Sequence, residues 1–305
     1  MKTADAAICP HSPPLARVRF LDYLELAKPR VAVLVLFTVA VGALLAQGSL
    51  PSLTILVHTL VGTALVAAGA STLNQLMERR LDALMRRTEN RPLPSGRVQP
   101  IEALIIGTAL GISGVVYLAF ELKEPWAALV AGGTFVCYVF VYTPLKQRTP
   151  HNTLIGAIPG ALPPLIGWAA IRGPLSLDAL SLFLIVFFWQ LPHFYAIAWI
   201  YRAEYAAAGY RMVSTVDRTG RKTARGMVGY CAVLLLASLI PWLTGRAGTS
   251  YGLGALLLGA GFLASTLAFA GSVSEPQARR VLKVSLIYLP AVFALLVLDT
   301  CLRTW

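Results

Sequence analysis

Acidic residues are scarce in this chain, fourteen Asp and Glu among 305 residues, and charge of either sign makes up only 13% of it. Soluble domains carry roughly one-quarter charged residues, so a water-facing globular body is excluded. Cysteine is equally sparse. Cys9, Cys137, Cys231 and Cys301 stand far apart without paired ligand spacing, which excludes a metal site of the Cys and His type and leaves buried apolar fillers or inert thiols. The opening MKTADAAICPHSPPLARVRF has three prolines and no apolar run. It does not form a secretory signal, and residues 1–22 read as a flexible cytoplasmic tail.

What is abundant is apolar sequence, 57% of the chain. A helix needs about 20 mostly apolar residues to cross a hydrocarbon core of roughly 30 Å. Such stretches recur at 31–48, 53–76, 101–120, 126–143, 153–171, 177–200, 226–244, 250–271 and 282–300. The expected fold is therefore all-α and polytopic, about nine transmembrane helices in the lipid bilayer, with residues 23–305 as one membrane domain.

The net charge of +12 does not point to nucleic acid, because the basic residues are spread over short loops. With the N-terminus placed in the cytoplasm, all but four of the 26 lysines and arginines fall on that side, the exceptions being Lys123, Arg172, Arg246 and Arg303. This is the positive-inside pattern. It predicts a cytoplasmic N-terminus and an external C-terminus.

The few carboxylates concentrate on the same face. Glu78, Asp82 and Glu89 follow the second span, and Glu204 and Asp217 follow the sixth. Four crossings separate these two span ends, so the groups can meet. Asn74, Glu78 and Asp82 are spaced i, i+4, i+8, one stripe along a helix leaving the membrane. Oxygen donors of this kind suit Mg²⁺, which binds through one or two carboxylates plus substrate phosphates. Directly afterwards MRRTENRPLPSGR supplies Arg86, Arg87, Arg91 and Arg97, guanidinium forks that fit phosphate oxygens. A diphosphate clamped between Mg²⁺ and arginines would be stabilised as charge builds on a leaving group. The competing reading is juxtamembrane charge, with Glu78 and Asp82 paired locally to Arg79, Arg80 or Arg86.

NQLMERRLDALMRRTENRPLPSG resembles the first signature of the UbiA-type membrane prenyltransferases, in the form found in their haem-modifying branch. YLELAKPRVAVLVLFTVAVG at 23–42, YTPLKQRTPHNTLIGAIPGALPPLIGW at 142–168 and FFWQLPHFYAIAWIYRAEYAAAGYRM at 187–212 agree with that branch in order. The resemblance implies nine helices around a central cavity in a bacterial inner membrane. It further implies a reaction in which Mg²⁺-bound farnesyl diphosphate ionises and its farnesyl carbon joins a vinyl group of haem B. Water completes the hydroxyethyl-farnesyl chain of haem O, and diphosphate leaves. Haem B is then substrate rather than prosthetic group, and assembly with haem A synthase or terminal-oxidase biogenesis is the implied partnership.

Position by position, the resemblance places Asn74, Glu78 and Asp82 in the first metal-binding motif and Arg86, Arg87 and Arg91 beside the diphosphate. Glu78 stands where the family usually has Asp. The second motif departs further: Ala203 and Glu204 precede Tyr205 where two aspartates are usual, leaving Glu204 as the remaining ligand. Arg211, Met212, Val213 and Ser214 replace a proline-containing run, and Arg211 becomes a candidate diphosphate ligand.

Lys146 and Arg148, just after Tyr142 and Thr143, suit a diphosphate or a haem propionate; snorkelling at the interface is the alternative. Asn152 reads as a helix cap. His193, inside the sixth span, is a candidate haem contact, set against a hydrogen bond to a neighbouring helix. Tyr142, Trp189 and Tyr205 are candidates for haem or isoprenoid contact. Trp189, Phe194, Tyr195 and Trp199 form an aromatic stripe that would either steady an allylic cation or simply pack. His58 reads as a packing or hydrogen-bonding residue. Pro159, Pro163 and Pro164 in the fifth span predict an irregular backbone bordering a cavity. Other classes remain open: a transferase for a quinone precursor or chlorin, a catalytically silent haem-binding descendant, or a transporter, which would place its polar groups nearer the midplane.

Overall fold

A computed structural model of the chain describes residues 20–122, 124–217 and 219–303. Cys9 and most of the expected tail lie outside those residues, as do Lys2, Arg17, Arg19, Lys123 and Arg218 of the charge count. The described residues form helices and turns without a strand. Among the described residues nine helices are long and apolar enough to cross a membrane: Pro29–Gln47, Leu53–Asp82, Pro100–Glu121, Trp126–Leu145, Asn152–Arg172, Leu177–Ile200, Arg221–Leu243, Thr249–Ser272 and Glu275–Arg303. The number and order expected from hydropathy are reproduced.

The ends differ from the expectation where polar helix formers extend a span beyond its apolar part. The second helix runs on through QLMERRLD to Asp82, because nothing in that stretch breaks it and its residues favour helix. It stops well before Pro92, so the prolines and glycine of the following loop do not end it. Instead the Thr88 hydroxyl donates to the Asp82 carbonyl at 2.8 Å, closing one of the open carbonyls of the last turn. The tail boundary at residue 22 also moves. A short helix, Phe20–Leu26, buries Asp22 and Leu26 while Phe20, Leu21 and Leu24 stay exposed, and Arg97 pairs with Asp22 and, at 3.1 Å, with Glu25.

Two apolar cores share the fifth span. One gathers Val66, Leu73, Leu118, Phe135 and Ile166 from the second to fifth spans. The other gathers Val41, Leu165, Trp189, Met227, Phe262 and Phe293 from the first and the last five. The fifth and sixth spans are 61% and 56% buried, against 22–39% for the others, so they form the centre and the rest face lipid. As its prolines predict, the fifth span is not continuous: Asn152–Ala161 gives way at Leu162 to Pro163–Arg172, since two adjacent prolines cannot donate to the preceding turn. This second half crosses the first span at backbone contact. A Cβ on Gly42 would collide with the Pro164 carbonyl, and one on Gly167 with the Val39 carbonyl.

At the end opposite the acidic motifs, the Arg172 guanidinium donates to the Ala46 carbonyl at 2.5 Å, and Arg246 pairs with Asp178 at 3.0 Å. Three arginines that the charge count sets apart from the rest, with Arg303 against the Gly245 carbonyl at 3.4 Å, thus share one end of the bundle.

Candidate active site

The stripe on the second helix is assembled as its spacing requires. Asn74, Glu78 and Asp82 are all buried, which few polar side chains achieve without partners. Each is met by a cation from elsewhere. Lys28 donates to the Asn74 carboxamide oxygen at 3.1 Å, Lys146 lies 2.7 Å from Glu78, and Arg91 donates to Asp82 at 2.8 Å. The competing reading, local pairing with Arg79, Arg80 or Arg86, is not what the structure shows: Arg79 turns back to the Leu76 carbonyl at 2.8 Å, and Arg86 is exposed. Neighbours on the same helix point around the cylinder, while burial selects cations delivered from other segments.

The fourth span delivers Lys146 through an irregular turn. Its helix widens to a π turn over Cys137–Tyr142, a feature often found at functional sites. Thr143 then accepts from the Asn74 amide at 3.1 Å and donates to the Tyr138 carbonyl at 2.9 Å. Lys146 sits 4.7 Å over the Tyr142 ring. Burial lowers the proton affinity of this ammonium, but the negative charge of Glu78 outweighs that and holds it well above the ordinary lysine range. Lys28 lacks so close a carboxylate, and burial, with Arg91 beside it, pushes it down to about 7.

The second acidic group does come to the first. Met85 packs with Ala198, Ala208, Tyr210 and Met212, and Glu204 accepts the Arg87 backbone N–H at 3.3 Å. The Arg87 guanidinium reaches the Tyr205 hydroxyl at 3.3 Å and lies 5.2 Å from the centre of the Tyr201 ring. Among the described residues no three His, Cys, Asp or Glu side chains converge as a ready metal cage. The donors that fit Mg²⁺ are the hard oxygens of Glu78 and Asp82 on one helix face, each neutralised by a cation from another segment. Glu204 is held at the Arg87 backbone. This arrangement matches an ion that keeps waters and takes its remaining ligands from a diphosphate.

The unusual second motif is satisfied internally. Ser214 donates to the Ala198 carbonyl at 2.9 Å. The Arg211 carbonyl accepts from Asn152 at 2.8 Å, while the Arg211 side chain and Arg148 are exposed. Asn152 is not the cap expected of it. Its amide donates to the carbonyls of Lys146, Thr149 and Arg211, bracing the loop that carries Lys146.

His193 hydrogen-bonds Ser285 at 2.8 Å and stacks on Trp189 at 5.0 Å, and Trp189 donates to the Ser285 carbonyl at 2.7 Å. Trp189, Tyr195 and Trp199 are buried in the core and Phe194 is 37% exposed, so the stripe packs the sixth span on both sides. His58 bonds the Tyr117 hydroxyl at 2.7 Å. Lys28, Thr143 and Tyr210 are the functional neighbours that spacing alone missed. Their available signal was position: Lys28 precedes Pro29 within the first shared segment, and Thr143 lies three residues before Lys146. A cavity of about 490 Å³ opens beside the stripe, lined by Lys28 and Arg91 among others.

Comparison with known proteins identifies the family and the fold. The model of the UbiA prenyltransferase family matches residues 35–288. The protoheme IX farnesyltransferase of Solibacter usitatus is 45% identical over 91% of this chain and 98% of its own length, and that of Koribacter versatilis is 44% identical over 91% and 93%. Among solved structures, a digeranylgeranylglyceryl phosphate synthase superposes with a TM-score of 0.78 at 17% identity, over 92% of this chain and 98% of that one. A UbiA homolog from Archaeoglobus fulgidus bound to GPP and Mg²⁺ gives 0.60 at 18%, over 90% and 99%. At such identities these two speak for the fold.

Proposed function

The chain belongs to the UbiA prenyltransferase family, and from that premise we propose that it transfers the farnesyl group of farnesyl diphosphate to a vinyl group of haem B, forming haem O and diphosphate. The observation that carries the chemistry is the buried row Asn74, Glu78, Asp82 with Lys146 and Arg91 already against its carboxylates. The relatives named above, matched over nearly their whole length, support haem B as acceptor.

Mg²⁺, when bound, supplies positive charge to the diphosphate oxygens; Glu78 and Asp82, with Asn74 and Glu204 at the margins, are the residues that would hold it. The remaining steps are the chain's own. Lys146 and Arg91, relieved of their carboxylates, and Arg87, released from the Tyr205 hydroxyl, turn to the diphosphate and stabilise the charge it gains as the C1–O bond breaks and the electron pair leaves with it. Arg86, Arg148 and Arg211, exposed and with side chains that have no hydrogen-bond or ion-pair partner among the described residues, extend that field toward the incoming anion. The allylic carbon bonds to the terminal vinyl carbon of the tetrapyrrole, and water adds to the carbon next to the ring and loses a proton. Tyr142 and Tyr205 lie against Lys146 and Arg87 and bound the reacting space. His193 and Trp189 are proposed as its deeper wall, acting through the sixth span.

A bacterial inner membrane, with the acidic motifs and N-terminus on the cytoplasmic side, is the setting this reading takes from the distribution of basic residues; hand-over to haem A synthase or an oxidase assembly belongs to the same proposal. The test is pigment analysis of bacterial membranes lacking their own haem O synthase. Haem O is expected with the wild-type chain and absent with Asp82→Ala. Well-inserted wild-type protein that binds haem B yet yields no haem O would favour a silent haem-binding protein, and prenylation of a quinone precursor or chlorin would redirect the acceptor.

A further inference from the structure

We infer that the cavity between the short helix Phe20–Leu26 and the start of the first span seats the carboxylates of the acceptor, with Arg30 at its rim and Lys28 further in holding the two propionates of the tetrapyrrole. This rests on haem as the acceptor and adds where and how its acidic edge is held. The cavity's volume of about 490 Å³ is within the roughly 300–1,000 Å³ of small-molecule sites and is more than a diphosphate group alone fills.

Its lining has two characters. Leu21, Leu24 and Val31 give an apolar wall that is exposed at the bundle surface, suited to a flat lipophilic body arriving from the bilayer. Lys28, Arg30 and Arg91 give a cationic one. The carboxylate on the same lining, Glu25, is held by Arg97 at 3.1 Å, so it does not cancel them. Arg91 is committed to Asp82. Lys28 makes one bond, to the neutral Asn74 oxygen, and the Arg30 guanidinium, exposed at the rim, has no hydrogen-bond or ion-pair partner among the described residues.

The backbone also marks this place. Lys28 has φ 50 and ψ 61, one of two non-glycine residues with positive φ in the described chain, and conformations so sparsely populated collect at ligand clamps. It turns the chain sharply into Pro29 so that Lys28 faces both the cavity and Asn74. Order along the site follows: Arg30 at the rim, Lys28 between, Asn74 and Glu78 inside.

Protohaem carries its carboxylates and its vinyl groups on different edges of the ring. A ring whose acids are held at Arg30 and Lys28, the latter already beside Asn74, therefore extends its vinyl edge along the stripe toward Glu78 and Asp82, where the allylic carbon is released. Diphosphate oxygens have shorter-range cations at the stripe itself, in Lys146 and Arg91. A lipid phosphate shares the anionic head and apolar body, and the experiment separates it.

Purified protein in phosphatidylcholine nanodiscs is titrated with haem B and with its dimethyl ester, read by the Soret band, for wild type, Arg30→Ala and Arg30→Lys. A farnesyl thiodiphosphate titration by calorimetry runs alongside. The expected result is a preference for the free acid of roughly tenfold or more in the wild type, as for lost charge-assisted hydrogen bonds. Arg30→Ala should erase most of that preference and Arg30→Lys restore much of it, with the thiodiphosphate affinity changed less than about twofold. Equal binding of acid and ester by the wild type overturns the inference while leaving haem as acceptor. Loss of thiodiphosphate binding in Arg30→Ala, with the acid preference intact, overturns it in favour of the diphosphate. A preference that collapses in every protein when phosphatidylglycerol is added overturns it in favour of a lipid head group. No binding of either haem form, with no haem O made in cells, removes the acceptor reading itself. The ester comparison needs no substitution, so it stands even if a variant folds poorly.

Discussion

Lys146 and Glu78 meet across two spans at 2.7 Å, with 15% and 6% of their side chains exposed. The ion pair is thus shielded from water by the same packing that builds the site, and removing one partner strands the other. Lys146→Met is expected to lower stability by about 3 kcal/mol, read as the melting temperature of the detergent-solubilised protein. Adding Glu78→Gln to it should recover most of that loss, whereas haem O formation should be lost in both. A double variant as unstable as the single one would show that Lys146 stabilises through packing instead of charge.

Asp82 is poised differently, because Arg91 holds it from a loop and not from a span. Exchange of Asp82 for Asn keeps the shape and removes the charge. Turnover of farnesyl diphosphate should fall by about 100-fold or more, and chelation of divalent metal with EDTA should abolish it in the wild type. Product is counted by chromatography of extracted haem, and Mg²⁺ titration of the two proteins should separate in midpoint.

Asp217 organises the entry to the seventh span. It accepts the Thr223 backbone N–H at 2.9 Å and hydroxyl at 3.3 Å, and the Thr219 hydroxyl at 3.0 Å. Burial alone would raise its pKa, but these hydrogen bonds outweigh burial and hold it below the ordinary 3.8. A depressed carboxylate contributes stability that is complete above its unfolded value and is lost as pH falls through the folded one. Melting temperature should therefore drop as pH falls below about 4. Asp217→Ala should cost about 1–2 kcal/mol at neutral pH and flatten that acid limb.

Gly167 permits the close crossing of the fifth span over the first, where the obstacle to a side chain is the rigid Val39 carbonyl. Gly167→Ala should destabilise the bundle by about 2–3 kcal/mol. Gly133→Ala, where an added Cβ meets nothing within 4 Å, should leave the melting temperature unchanged.

Much of this was legible in the chain itself. Hydropathy set the nine crossings, because lipid imposes one length and one composition on every helix that spans it. The i, i+4, i+8 spacing set the stripe, because helix geometry is local. An even number of crossings sufficed to bring Glu204 to the face of Arg87. The fifth span's break followed from prolines that lack a donor. What spacing could not rank was the choice of partner. Arg79, Arg80 and Arg86 are close in sequence to Glu78 and Asp82, yet Lys146 and Arg91 hold them, and Asn152, expected to accept as a cap, donates to three carbonyls. The sequence by itself determined which groups exist and at which end of the helical bundle they gather. Only tertiary packing decided which cation answers each carboxylate and that Lys28 stands between the stripe and an open cavity, because burial is a property of converging helices and an unpaired charge survives inside only where another segment brings its counter-charge.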